Sequence, residues 1–556
     1  MLSLLKTVAL LSSLTVVSAR PATELTESAA QLPTVDLGYV VQRATVFNDT
    51  GKYYNFSNIR YAQPPTGNLR FRAPQPPLQD RSVVQTGEIG RICPQASPAW
   101  LLIANEFIPE YLQGRTEFSP ADFNTSSSGS SGLPAQDPRT TEDCLFLDVQ
   151  VPKSIFDKRN AKNTKGAPVL VWIYGGGYTA GEKGGSGNPA GLIARSEDNG
   201  SSGIIYVALN YRLGAFGWLS GPTFQENGTA NAALYDQRLA IEWVKQNINK
   251  FGGDPSRITL IGESAGGGSI MHQITAYGGL KPIAFQQAIP QSPGFQPVVS
   301  TAVQENVYNA YLTLLNVSTI EEARNLPYET LQTANIIQVG TSSYGQFTYG
   351  PVVDGIFAPQ LPGQLLAKGQ FAKDVNVMVG HNADEGLLFT SPFNQNDSTF
   401  SAQLQRLLPT LPSFPQAAQD LEDVLYPESD YPNQIARAST LIAEAVFTCN
   451  TFFLDKAYHN NTHSYQFAVP PALHGNDIAY TYYNGANITS PQTAIALQEY
   501  ITNFVMTGNP NGPGVANFPV YGRNASMNVL NVTGITQQVD DAANPRCEWW
   551  QKALYY

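Results

Sequence analysis

The strongest hydrophobic signal begins in the second quarter of the chain. Val169–Tyr174 is an unbroken apolar run between Pro168 and Gly175, the pattern of a strand buried on both faces. Ile204–Leu209 is a second run of the same kind. Apolar residues then recur at Ile241, Val244, Ile248 and Phe251, a helical spacing stopped by Gly252-Gly253. Ile258–Ile261 returns to a strand and runs into Gly262-Glu263-Ser264-Ala265-Gly266, with a helix-compatible stretch beyond. Later strands are predicted at Val375–Gly380 and Ser464–Val469. This alternation predicts an α/β protein with a large, mixed, mostly parallel central sheet flanked by helices. Neither an internal repeat nor an obvious linker divides it.

Composition narrows the function classes. The chain has 556 residues, 42% of them hydrophobic, enough for a large core, while 47 Gly and 39 Pro imply many loops. Its net charge of −11 makes it a poor counter-charge for phosphate backbones or anionic lipid, which argues against nucleic-acid partners and electrostatic membrane binding. The N-terminus reads as a signal peptide: Lys6, the apolar run Thr7–Val17, then Val17-Ser18-Ala19 as a cleavage pattern. The run is too short to span a bilayer, and the C-terminus lacks a lipid-anchor signal, so no stable membrane anchor is expected. Residues 1–19 are therefore assigned to the signal and 20–556 to one domain of a secreted protein. Eleven Asn-x-Ser/Thr sequons, at Asn48, Asn55, Asn124, Asn199, Asn227, Asn316, Asn396, Asn460, Asn487, Asn524 and Asn531, fit a surface-glycosylated product of that route. Cys93, Cys144, Cys449 and Cys547 form no C-x-x-C pair and have no accompanying His cluster, so two disulfides are favoured over a zinc site, with three pairings open.

Candidate chemistry gathers where strand meets helix. Gly262–Gly266 is the only G-x-S-x-G in the chain. On a strand-turn-helix it is a nucleophile elbow, which presents the Ser264 hydroxyl above the sheet with the Ala265 N–H beside it. Tyr174-Gly175-Gly176-Gly177-Tyr178 follows the first buried strand, and its glycines allow backbone to approach a substrate oxygen closely. No G-K-[ST] follows, so a phosphate cradle is excluded. Of the five histidines, His272 reads as a packed helix residue, and His459 and His463 as solvated ones. His381 reads as a loop residue. His474, in a loop after the predicted strand Ser464–Val469, is the candidate base. The acid candidate lies in His381-Asn382-Ala383-Asp384-Glu385-Gly386, where residue types alone leave Asp384 and Glu385 both open.

The chain resembles the type-B carboxylesterases, the α/β-hydrolases that include fungal lipases of the Candida rugosa type and cholinesterases. The matching blocks run nearly the length of the mature chain. Among them are Ile59–Pro65, Glu142–Leu147, Asn210–Gly217, Phe251–Pro255, Gly262–Gly266, Asp384–Gly386 and Cys547–Trp550. The resemblance implies the α/β-hydrolase fold and a serine ester hydrolase. It places the nucleophile at Ser264, the acid at Glu385, the base at His474 and the oxyanion donors at Gly176, Gly177 and Ala265. It also implies Cys93–Cys144 and Cys449–Cys547 as disulfides, and Arg70–Glu142 and Arg212–Asp236 as structural ion pairs. No metal or cofactor is implied, and the partner is a small-molecule or lipid ester. The sequence leaves the oligomeric state open.

Three alternatives stay within the fold: a lipase on water-insoluble esters, an acyltransferase or ester-forming enzyme, and a non-catalytic adhesion-type member. The last typically lacks the nucleophile, which is present here. Two departures from the family pattern, Ala233 and Ser292-Pro293-Gly294, are expected to reshape the acyl pocket. In family lipases the Cys93–Cys144 loop carries a lid, and Leu101, Ala104, Phe107 and Ile108 recur at helical spacing in it. The segment is thus either a mobile lid or a permanent part of the core. A neutral histidine base predicts an acid-side fall in activity with an apparent pKa of around 6 to 7.

Overall fold

The computed structural model describes residues 32–123, 135–162 and 165–556. The signal peptide assigned to 1–19, the Asn124 sequon and the Ser/Gly-rich stretch 125–132 lie outside the described residues.

Among the described residues, fourteen strands form two sheets. They are β1 (Thr34–Asp36), β2 (Val41–Arg43), β3 (Val46–Asn48), β4 (Tyr53–Arg60), β5 (Val84–Gln85), β6 (Phe146–Pro152) and β7 (Ala167–Ile173), then β8 (Ile205–Leu209), β9 (Gly253–Glu263), β10 (Gln287–Gln291), β11 (Asn376–Asn382), β12 (His463–Phe467), β13 (Ser526–Asn531) and β14 (Gly534–Val539). β1, β2 and β5 make a small sheet. The other eleven form one sheet in the order β14-β13-β12-β11-β10-β9-β7-β8-β6-β4-β3. Its centre, from β13 to β8, is parallel throughout, and both margins are antiparallel.

Every residue of β7, β8 and β10 is buried, because helices cover both faces of a parallel sheet and leave no strand side for water. Pro168 falls inside β7 rather than before it. It sits where the register with β9 shifts between Ala167 and Val169, a bulge being where a strand tolerates a residue without an N–H. The periodic stretch around Ile241 becomes the helix Ala232–Asn247, continued by a 3-10 turn that Gly252 ends at φ 96°.

Strand ends moved more than strand centres. β9 starts at Gly253, five residues before the apolar run, because its polar start still pairs with β7. β11 runs on to Asn382, so His381 is a buried strand residue and not a loop residue. His463 likewise opens β12, with its Nδ1 2.9 Å from the Pro519 carbonyl and burial pushing its pKa down, so the solvated reading is corrected. His459 is exposed and His272 is packed in the helix Ala265–Thr275, as read from the sequence.

Cys93 is bonded to Cys144 and Cys449 to Cys547. The second bridge ties the helix Cys449–Ala457 to the helix Pro545–Lys552. Arg70 meets Glu142 in a two-pronged pair, and so does Arg212 with Asp236. The segment between Cys93 and Cys144 forms the helix Trp100–Leu112, with Trp100, Ala104, Phe107 and Ile108 buried. Trp100 lies against Tyr344, Phe347 and Phe389, and its indole N–H donates to the Gln346 carbonyl.

Candidate active site

The site stands at the carboxyl ends of the parallel strands, where open α/β sheets place their ligands. β9 turns sharply at Ser264 into the helix Ala265–Thr275. Ser264 has φ 59° and ψ −122°, a strained conformation outside the helical and extended regions. Only glycine fits two residues before it and two residues after it. A Cβ on Gly262 would lie 2.5 Å from the Ile173 carbonyl oxygen, and one on Gly266 only 2.0 Å from it. The strain is held by pairing to β10: the Ser264 N–H donates to the Gln291 carbonyl, and the Ser264 carbonyl accepts from Gly268 and Gly294.

Two loops converge on this turn. One leaves β11 and brings Glu385; the other leaves β12 and brings His474. They are joined by the Asp384 N–H, which donates to the Ala472 carbonyl. His474 Nε2 is 2.7 Å from Ser264 Oγ, and His474 Nδ1 is 2.5 Å from Glu385 Oε2. Of the two acids left open by residue type, Glu385 reaches the imidazole, while Asp384 accepts from the Ser439 hydroxyl. The other Glu385 oxygen accepts from the Ser292 hydroxyl at 2.6 Å and from the Asn382 N–H at 2.5 Å. Phe447 and Phe389 lie against the imidazole, with ring centroids 4.3 and 5.1 Å away.

Charge at the site is unbalanced. Burial would keep His474 neutral, but Glu263, Glu385 and Asp477 together push its pKa up to about 9. Glu263 is 3% exposed, its Oε1 is 3.5 Å from His474 Nε2, and that oxygen has no hydrogen-bond partner. Burial drives Glu263 up to about 8 against the pull of His474. Burial, then Glu385, raises Asp477 to about 6, while Asn382 donates to it. Glu385 goes the other way: burial opposes its charge, yet His474, Ser292 and Asn382 hold its pKa below the usual value. The sequence-based figure of around 6 to 7 for the base therefore moves upward.

Sequence reading missed Glu263, Ser292, Asn382 and Asp477 as members of this network. Glu263 occupies a variable position of the elbow motif, and Ser292 reaches Glu385 from 93 residues away in the chain. Neither leaves a local signal.

Ser264, Gly177 and Ala265 line one cavity with Gly294, Phe295, Phe347, Phe389, Phe447 and Trp218. Among the described residues its lining contains no Asp, Glu, Lys or Arg. Gly176 precedes Gly177 in the same loop, at φ 107°. Of the two departures from the family pattern, Gly294 lines the cavity; Ala233 is buried in the helix Ala232–Asn247 and does not, so that half of the expectation is corrected.

The sheet, its elbow and the flanking helices define an α/β-hydrolase that acts on carboxylic esters. The chain belongs to the carboxylesterase family, whose family model matches residues 32–550. It is 42% identical over 546 residues to carboxylesterase patB of Penicillium expansum, covering 95% of this chain and 97% of that one. It is 30% identical over 508 residues to the secreted triacylglycerol lipase LIP1 of Gibberella zeae, covering 84% and 81%. Among solved structures, Aspergillus niger EstA superposes with a TM-score of 0.78 at 25% identity, covering 95% of this chain and all of that one. Several relatives are named secreted lipases, and among the described residues no helix is long and apolar enough to cross a membrane.

Proposed function

We propose that the protein is a secreted serine esterase that works through Ser264, His474 and Glu385 and an acyl-enzyme intermediate. The observation that carries this reading is the continuous hydrogen-bonded line Ser264 Oγ–His474–Glu385 at a strained elbow. Neutral His474 takes the Ser264 proton as Oγ attacks the ester carbonyl, and Glu385 fixes the tautomer and stabilises the imidazolium. The N–H groups of Gly176, Gly177 and Ala265 receive the oxyanion, each contributing about 3 kcal/mol if it matches measured oxyanion-hole donors. His474 then protonates the leaving alcohol, and water repeats the sequence on the acyl-enzyme. Residues 20–556 act as one catalytic unit after removal of 1–19, with sugars on some of the sequons.

The substrate class follows from the cavity. An uncharged, aromatic-lined wall favours a neutral acyl group, because a carboxylate or ammonium there would lose its hydration without a partner. The helix Trp100–Leu112 has its apolar face turned into the body of the protein, which supports soluble esters over an interface-activated lid. The test is a panel of esters varying acyl length and charge, run beside Ser264→Ala, with one short-chain triglyceride taken through its solubility limit. Preference for neutral acyl groups and plain saturation across the limit are expected. A rate jump at the interface would instead make the enzyme a lipase, and activity of Ser264→Ala equal to wild type would reject the mechanism.

A further inference from the structure

β11 serves two faces of the sheet. Asn382 turns its side chain toward Ser292, Glu385 and Asp477. Strand alternation sends His381, one residue earlier, to the opposite face. There the chain leaving β14 brings Asp540 and Asp541 alongside. One ligand-capable atom from each of His381, Asp540 and Asp541 lies within 4.8 Å of the other two.

His381 is 3% exposed, and its Nε2 is sealed from solvent without a hydrogen-bond partner. A nitrogen buried and unpaired in this way has lost its hydration with nothing in return, so it signals a missing partner. Asp540 is 3% exposed and already oriented: one oxygen accepts from the Tyr521 hydroxyl at 2.7 Å, the other from the Ala542 N–H at 2.9 Å. Donors that hold a carboxylate in this way fix ligand direction at metal sites. Asp541 is exposed and opens the cluster to solvent. Asp455, a further buried carboxyl nearby, accepts from the hydroxyls of Thr462 and Ser464 and lies outside the three-residue cluster.

We propose that His381, Asp540 and Asp541 form a divalent metal site on the face of β11 opposite the catalytic loops. One imidazole and two carboxylates suit a borderline transition metal such as zinc or manganese rather than calcium, which takes six to eight oxygens. Zinc binds such ligands at about 2.0–2.2 Å, roughly 3.3 Å apart in a tetrahedron, so binding draws the three closer than the 4.8 Å within which they now lie. The fourth position faces solvent beside Asp541. Since β11 leads directly into the loop that carries Glu385, the ion anchors the strand that presents the acid. It takes no part in the ester chemistry.

The test is calorimetric titration of the full-length, untagged protein at pH 7.5 after dialysis against a chelator, with zinc chloride and then manganese chloride alone. One site is expected, with zinc the tighter ion, and zinc raises the thermal midpoint. Asp541→Asn, at an exposed position, weakens zinc at least about tenfold while ester turnover stays unchanged. His381→Gln does the same where it folds. Failure of both ions to bind the wild type, or wild-type zinc affinity in Asp541→Asn or in folded His381→Gln, overturns the proposal.

Discussion

Two charge clusters in this molecule, both largely shielded from water, are opposite in design. Arg212 and Asp236 are 2% and 0% exposed, and one cation meets one anion in two parallel hydrogen bonds with a third from the Arg212 backbone. At the catalytic turn a single imidazole faces three carboxyl groups. The balanced pair can only hold the chain in place. The unbalanced cluster stores proton affinity, which is what the proposed mechanism asks of His474 in taking a proton from Ser264 and giving it to a leaving alcohol. Matched charge therefore marks scaffold here, and mismatched charge marks chemistry.

The contrast breaks most visibly on removal of the imidazole. His474→Ala is expected to cut kcat about 10⁴-fold or more while leaving the thermal midpoint close to wild type, because the triad acts as a unit and contributes little to stability. Steady-state rates and a melting curve on the same sample check both halves. Asp236→Asn should do the reverse. It strands a buried guanidinium and costs about 3–5 kcal/mol of stability, read as a lower urea midpoint, with kcat/KM of the surviving folded protein changed little.

A smaller effect sharpens the comparison. Replacing Glu263 by Gln keeps its shape and removes one of the carboxyls that raise His474. His474 must be neutral to act as the base, so activity is lost as pH falls through its pKa. A raised pKa moves that acid limb to higher pH, and Glu263→Gln should bring it back down by about one pH unit. The kcat/KM profile of a non-ionising ester from pH 5 to 9 measures this. An unmoved limb would mean that Glu263 does not set the proton affinity of the base.

The same division explains what the sequence made legible. Val169–Tyr174 and Ile204–Leu209 announce a two-sided sheet because burial on both faces leaves unbroken apolar runs. The elbow is readable because a Cβ at Gly262 or Gly266 would come within 2.5 or 2.0 Å of the Ile173 carbonyl oxygen, which forces glycine at both. Strand ends are not readable: Gly253–Arg257 and His381-Asn382 join the sheet through hydrogen bonding, which residue polarity does not report. Glu385 over Asp384 was legible only by family resemblance, since both are acidic and adjacent, and the choice depends on which one the loop turns toward His474. Glu263 and Ser292 were invisible as partners because the groups they meet, His474 and Glu385, arrive on loops distant in sequence. Lining the cavity, Gly294 was flagged by its unusual context, whereas Ala233 was flagged the same way and lies in the core.

The central claim is that the strained serine at the end of β9 is the covalent nucleophile activated by His474. Its most direct test is reaction of the intact protein with a fluorophosphonate, followed by peptide mass spectrometry. The account predicts a single adduct on Ser264, formed far more slowly in His474→Ala and absent in Ser264→Ala. An adduct on another residue, or equal labelling of Ser264→Ala, would contradict it.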